Sequence, residues 1–158
     1  MTTIAVDRKL GCMAADTRVS TGGAHYHANK IFRIGSSLFG TAGDGDMGLV
    51  MVDWLKSARN RQTLYRQWSD YERSDVWLIE LNPGGICLWT GWGVQERIND
   101  DRYAIGSGQL AALAALDKGD PPEEAVRIAT NYDQYSGAPL QVEWLLPPEL
   151  KTRKRKRG

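Results

Sequence analysis

The sequence predicts an α+β fold, and three observations carry that expectation. Apolar patterns of period two cluster toward both ends of the chain. Between them the period shifts to that of a helix. Short turns rich in glycine and asparagine join neighbouring apolar runs at hairpin spacing. Strands at both ends with helices between them imply sheet layers covered by helix layers. A chain of 158 residues suits one domain, and a domain of about 150 residues buries roughly two-thirds of its unfolded surface without cross-links.

Each element has its own reason. Thr3–Val6 alternates, DRKLG supplies turn residues and GCMAAD resumes, which reads as a β-hairpin with Gly11 in the turn. KIFRIGSSLFGTAG reads as two short strands around Gly35, Ser36 and Ser37. Met47, Val50, Met51, Trp54, Leu55 and Ala58 then fall on one helical face, capped by Asp44 or Asp46. NRQTLYRQWSDYERSD is polar and reads as a short second helix and a loop. VWLIELNPGGICLWTGWG is a second hairpin, turned by Asn82-Pro83-Gly84-Gly85. YAIGSG ends a strand, and QLAALAALDKG is a short helix stopped at Gly119. DPPEEAVRIATNY carries a helix start, with Asp120 as cap, prolines in the first turn and Glu123 three residues after the cap. APLQVEWLL is a last strand before Pro147 and Pro148 end order.

Composition excludes several classes. Hydrophobic residues make up 42% and charged residues 25%, ordinary globular values rather than those of a disordered chain. No apolar run approaches a membrane span and no signal-peptide pattern precedes Thr2, so a cytoplasmic protein is expected. Cys12 and Cys87 sit in apolar runs and read as buried free thiols. The net charge of +1 conceals an asymmetry. The terminal KTRKRKRG holds six of the 20 cations and none of the 19 acids, leaving the body with fourteen cations against nineteen acids, a net −5. An acidic body does not suit a nucleic-acid-binding domain, so residues 149–158 read as a solvated, disordered basic tail behind a domain over 1–148. His25 and His27 lack neighbouring acids or thiols, which makes a poor metal site, and read as structural or surface residues.

The start of the chain carries the chemistry. Methionine before a small residue is a pattern that aminopeptidases trim, and trimming here would leave Thr2 with both a hydroxyl and a free α-amine. Such an amine titrates near 7.7–8.0 and can act as base for its own hydroxyl. The pair needs a nearby cation, a carboxylate to hold that cation and donors for an oxyanion. Asp16 ends the strand that returns toward the N-terminus, Lys30 opens KIFRI, and Gly40 in LFGTAG could offer a bare N–H at a strand end. Singly, Asp16 also reads as a turn acid, Lys30 as a surface lysine and Gly40 as a bulge.

The segments TTIAVD, AADTRVS, NKIFRI, FGTAGDG, YAIGSG and YDQYSGAPLQV occur in this order along nearly the whole chain. Together they resemble a proteasome β subunit and its bacterial relative, the heat-shock locus V peptidase. The resemblance implies a four-layer αββα sandwich of the N-terminal-nucleophile hydrolases. It implies a threonine endopeptidase that cleaves unfolded polypeptides inside a homo-oligomeric ring, served by an AAA+ ATPase unfoldase partner and needing no cofactor. Residue by residue, Thr2 matches the nucleophile, Lys30 the catalytic lysine and Asp16 its acidic partner. Gly40 matches the oxyanion-hole glycine, Ser107 a serine near the nucleophile's amine, and Asp133 and Ser136 a second supporting pair. Ser20 falls where substrate backbone binds. Val19, Ala28, Phe32, Leu38 and Ala42 fall on the first specificity pocket, which is then apolar and suits a hydrophobic side chain before the cut. The chain departs from the family in a short segment between Lys56 and Val76, an acidic glycine turn at GTAGDGD, and alanine in QYSGAP where a glycine usually repeats. A small-molecule amidohydrolase on the same sandwich, or an idle ring or scaffold subunit, are the alternative readings. Retention of Met1 would block the site.

Overall fold

The computed structural model describes residues 1–57, 64 and 75–146. Eleven strands and three helices are seen among them. The first sheet contains β1 (Thr3–Asp7), β2 (Cys12–Asp16), β10 (Arg102–Gly106) and β11 (Leu140–Trp144), in the order β10-β1-β2-β11. The second contains β5 (Ile31–Ile34), β6 (Ser37–Gly43), β7 (Val76–Asn82), β8 (Gly85–Thr90) and β9 (Gln95–Ile98), in chain order. All neighbours in both sheets run antiparallel. A separate hairpin joins β3 (Arg18–Thr21) to β4 (Ala24–His27).

Side-chain size decides what each face meets. Ile4, Val6, Met13, Ala15 and Ile105 of the first sheet pack against Ile31, Leu38, Ala42, Ile79, Leu81 and Ile86 of the second. The opposite face of the first sheet carries Ala5, Ala14 and Ala104. Against these small residues lie α2 (Gln109–Lys118) and α3 (Pro122–Ala129), through Ala112, Leu116, Ala125, Val126 and Ala129. The far face of the second sheet carries Phe39, Leu78 and Trp89, covered by Met47, Met51 and Trp54 of α1 (Gly45–Lys56). Trp54 and Trp89 meet edge to face, centroids 6.1 Å apart, so two of the six tryptophans serve this core. The expected alternation in β1 is therefore one of size rather than exposure: all five residues are buried because both faces of the sheet are covered.

Helix ends follow local chemistry. Asp44 caps α1, its carboxylate accepting from the Met47 amide at 2.8 Å. Gly119 stops α2. Asp120, by contrast, is not the cap of α3; that position belongs to Pro121, in extended conformation (ψ 161°). A residue before proline is pushed out of the α region, so the helix cannot start before Pro122. The β3–β4 hairpin and β9 were not expected, because short exposed strands such as AHYH and QERI carry no apolar period. The expected second helix in 60–75 and the tail after Pro148 lie outside the described residues, apart from Leu64, which is buried, and Asp75. No helix among the described residues is long and apolar enough to cross a membrane.

Gly40 is not at a strand end. It lies inside β6, opposite Ile31 on one side and Ile79 on the other, and faces the interior between the sheets. A Cβ there would stand 2.9 Å from Ile4 Cδ1 and 3.2 Å from Met13 Sδ. The glycine lets the two sheets approach. Overpacking a close-packed core costs typically about 1–3 kcal/mol, so Gly40→Val is expected to lose that much stability, read as a lowered urea midpoint at unchanged m-value.

Candidate active site

The two sheets converge at the start of β1. Asp16, at the end of β2, is fully buried and accepts four hydrogen bonds: Lys30 Nζ and the Thr3 amide on Oδ1, both at 2.9 Å, and the Gly137 and Arg18 amides on Oδ2, at 3.1 and 3.2 Å. Lys30, just before β5, is 6% exposed. Its ammonium donates to Asp16, to the Arg18 carbonyl at 2.7 Å and to the Met1 carbonyl at 3.1 Å, which engages all three of its protons. Burial pushes the Lys30 pKa below its ordinary value, against the opposing pull of Asp16.

A second polar chain holds the other side of Thr2. Thr3 pairs with Gly106 across β1 and β10, which brings the Ser107 amide within 2.8 Å of the Thr2 carbonyl. Gly106 has φ 99°, and a Cβ would fall 1.9 Å from that carbonyl oxygen, so only glycine fits. The Ser107 and Ser136 hydroxyls both donate to Asp133 Oδ2 at 2.6 Å. Because each hydroxyl has one proton, the 2.7 Å contact between Ser136 and Thr3 is a donation from Thr3. Burial alone would raise the Asp133 carboxyl; hydrogen bonds from Ser107, Ser136 and the Tyr135 amide outweigh it and hold it below its ordinary value.

Thr2 lies between these two clusters, 6% exposed, and its hydroxyl has no hydrogen-bond partner among the described residues. Two cavities open onto it. One, of about 490 Å³, is walled by Trp77, Leu88, Tyr103 and Ile105. The other, of about 400 Å³, is lined by Val19, Ser20, Ala28, Phe32 and Ala42, together with Tyr26 and Leu49. Leu38 lines neither; it is fully buried between the sheets, because its place on β6 turns it inward beside Ile79 and Leu81.

Gly40 is also absent from both cavities, whereas Gly43 lines both. Thr41 donates its amide to the Lys30 carbonyl at 3.0 Å. Gly43, two residues on, has no backbone hydrogen bond of this kind to β5 among the described residues and shares the lining of both cavities with Thr2. Gly43 has φ 98°, and a Cβ there would fall 1.8 Å from the Asp75 carbonyl. The signal for Gly43 is present in GTAGD, a glycine immediately before a helix-capping aspartate.

Gln141 is a further residue that sequence reasoning did not single out. Its Oε1 accepts from the Lys30 and Ile31 amides at 2.9 and 3.0 Å, and its Nε2 donates to the Ile31 carbonyl at 2.9 Å. One side chain of the first sheet thus clasps the head of the strand that follows Lys30.

The chain matches no protein-family model and no curated protein. Among solved structures it is similar to BPH of Thiobacillus denitrificans, with TM-scores of 0.71 for that protein alone and 0.70 for its complex with epoxomicin. In both, identity is 25% over 92% of this chain and 100% of the other. It is also similar to the eukaryotic HslV of Trypanosoma brucei, with TM-score 0.68 and 25% identity over 90% of this chain and 98% of the other.

The Gln141 clasp has a measurable cost of removal. Gln141→Leu keeps the volume but leaves backbone groups at Lys30 and Ile31 without partners, and a buried unsatisfied group costs about 1–3 kcal/mol. A stability loss of at least that size in urea unfolding is expected, with Gln141→Glu losing less because one set of acceptors remains.

Proposed function

We propose that this chain, an HslV-like protein of the proteasome type, is a threonine-type endopeptidase subunit whose nucleophile is Thr2 once Met1 has been removed. The observation that carries the proposal is Thr2, buried where two cavities meet near the Lys30–Asp16 pair, its hydroxyl unpartnered among the described residues. The architecture is read as the four-layer αββα sandwich of N-terminal-nucleophile hydrolases, with the catalytic domain over 1–148, a solvated basic tail behind it and a cytoplasmic location.

The mechanism follows from the groups in place. Loss of Met1 frees one Lys30 proton that now reaches the Met1 carbonyl, and it turns the Thr2 nitrogen into an amine. The amine takes the hydroxyl proton, and Oγ1 attacks the scissile carbonyl. The positive charge of Lys30, held by Asp16, keeps the amine's pKa low enough for it to serve as base. The Gly43 amide stabilises the oxyanion, in place of Gly40. The amine then passes its proton to the leaving amino group, and water hydrolyses the acyl-threonine ester. The Ser107 amide holds the Thr2 carbonyl, and with it the nucleophile's orientation, while Asp133 anchors the Ser107 and Ser136 hydroxyls. Substrates are unfolded polypeptides admitted to a homo-oligomeric ring, with an ATPase unfoldase as partner.

Thr2→Ala is expected to lower peptide hydrolysis by on the order of 10³ or more while leaving the melting temperature within a degree or two, and the intact mass of the active protein is expected to lack Met1. Wild-type turnover by Thr2→Ala, or by protein that keeps Met1 quantitatively, would overturn the reading. Native mass spectrometry is expected to show a closed homo-oligomer, and a monomer at micromolar concentration would rule out the ring.

A further inference from the structure

The cavity that contains Val19, Ala28, Phe32 and Ala42 is not apolar throughout. Asp44 and Asp46, at the start of α1, and Asp75, just before β7, line it as well. Among the described residues the one cationic side chain in the lining is Lys30, and that ammonium is spent on Asp16 and on the Arg18 and Met1 carbonyls. Asp44 is held in place from two directions: its carboxylate caps α1 at Met47, and its amide donates to the Asp75 carbonyl at 2.8 Å. Thr2 shares this lining, more than nine-tenths buried, its hydroxyl unpartnered among the described residues. The cavity is therefore a slot of mixed character: the buried candidate nucleophile, aliphatic and aromatic walls and three exposed carboxylates share one lining.

We propose that this slot selects a lysine or arginine side chain on the residue before the cut, rather than the purely hydrophobic side chain that its apolar positions alone would suggest. The proposal rests on the threonine-peptidase reading of Thr2. Long basic side chains bury an aliphatic stem on apolar surface and keep a charged head at its edge, and this lining supplies both, apolar Phe32 and Leu49 with exposed Asp44 and Asp46. An acidic side chain would meet the same carboxylates as like charges, and rejection of the wrong charge contributes as much to specificity as attraction of the right one. The volume, about 400 Å³, leaves room for a long side chain rather than only a small one.

The test uses fluorogenic peptides that differ only in the residue before the cut, arginine, leucine or glutamate, with the mature full-length protein. Arginine is expected to exceed leucine in kcat/KM by about fivefold, the upper range for one solvent-facing ion pair, and to exceed glutamate by more. Asp46→Asn, and Asp44→Ser, which keeps a capping side chain, are each expected to reduce the arginine-to-leucine ratio several-fold, as is added salt. The same three residues at the C-terminus of a peptide, titrated calorimetrically into the Thr2→Ala protein, report the slot without chemistry. Tighter binding of the arginine peptide, weakened by Asp46→Asn, supports the proposal even where turnover is absent, an outcome that would overturn the peptidase reading alone. Equal or tighter binding of the leucine peptide, or cleavage with leucine preferred and unchanged by both substitutions, overturns the slot and leaves the peptidase reading standing.

Discussion

The buried pair of Asp16 and Lys30 is the interaction on which the rest of the site depends. Taking a carboxylate and an ammonium out of water costs several kcal/mol per ion, and only good geometry with every remaining lone pair and proton engaged offsets it. Here the carboxylate accepts four donors and the ammonium fills three acceptors. Those partners come from β1, the end of β2, the first residue of β3, the loop before β11 and the residue before β5. Ionic complementarity at one point therefore pins the first sheet, the head of the second sheet, the β3–β4 hairpin and the loop before β11 together. A charge that would be a liability in an ordinary core instead specifies where the ends of five segments must lie.

That constraint explains the division of labour between the sheets. The first sheet presents branched residues and methionine inward and alanines outward, so α2 and α3 sit close on its outer face while its inner face fills the gap to the second sheet. Gly40 lets Ile4 and Met13 approach the β6 backbone. The close approach brings Lys30 within reach of Asp16, and Gln141 then ties the head of β5 across the same gap. Three features of unlike chemistry, a missing Cβ, an amide clasp and an ion pair, enforce one distance between two sheets.

The polar chain on the other side of Thr2 has a different character. Ser107, Ser136 and Thr3 pass their hydroxyl protons in one direction, toward Asp133. A carboxylate that terminates such a chain fixes every rotor in it, because each hydroxyl has a single proton to give. The Thr2 carbonyl is held by the Ser107 backbone amide, so the residue bearing the candidate nucleophile is oriented through its main chain and its hydroxyl stays uncommitted.

By itself the sequence determined whatever depends on neighbours along the chain. The hairpins around Gly11, Gly35 and Pro83-Gly84, the Asp44 cap and the Gly119 stop are short-range physics, and the α+β reading rests on them. Thr2, Asp16, Lys30, Ser107, Asp133 and Ser136 were legible because resemblance preserves order and spacing, and the structure gathers them around Thr2. Tertiary structure alone decided the rest. Strand register set Gly43 rather than Gly40 beside Thr2 and turned Leu38 into the inter-sheet core, because on a strand a shift of one residue exchanges faces and the strand runs on to Gly43. Gln141 reaches Lys30 across 111 residues of chain, a separation over which no local period carries information. The carboxylates in the lining of the slot read in sequence as a helix cap and an acidic turn. Only the packing of α1 beside β5 and β6 makes them part of the wall of a cavity that Thr2 also lines.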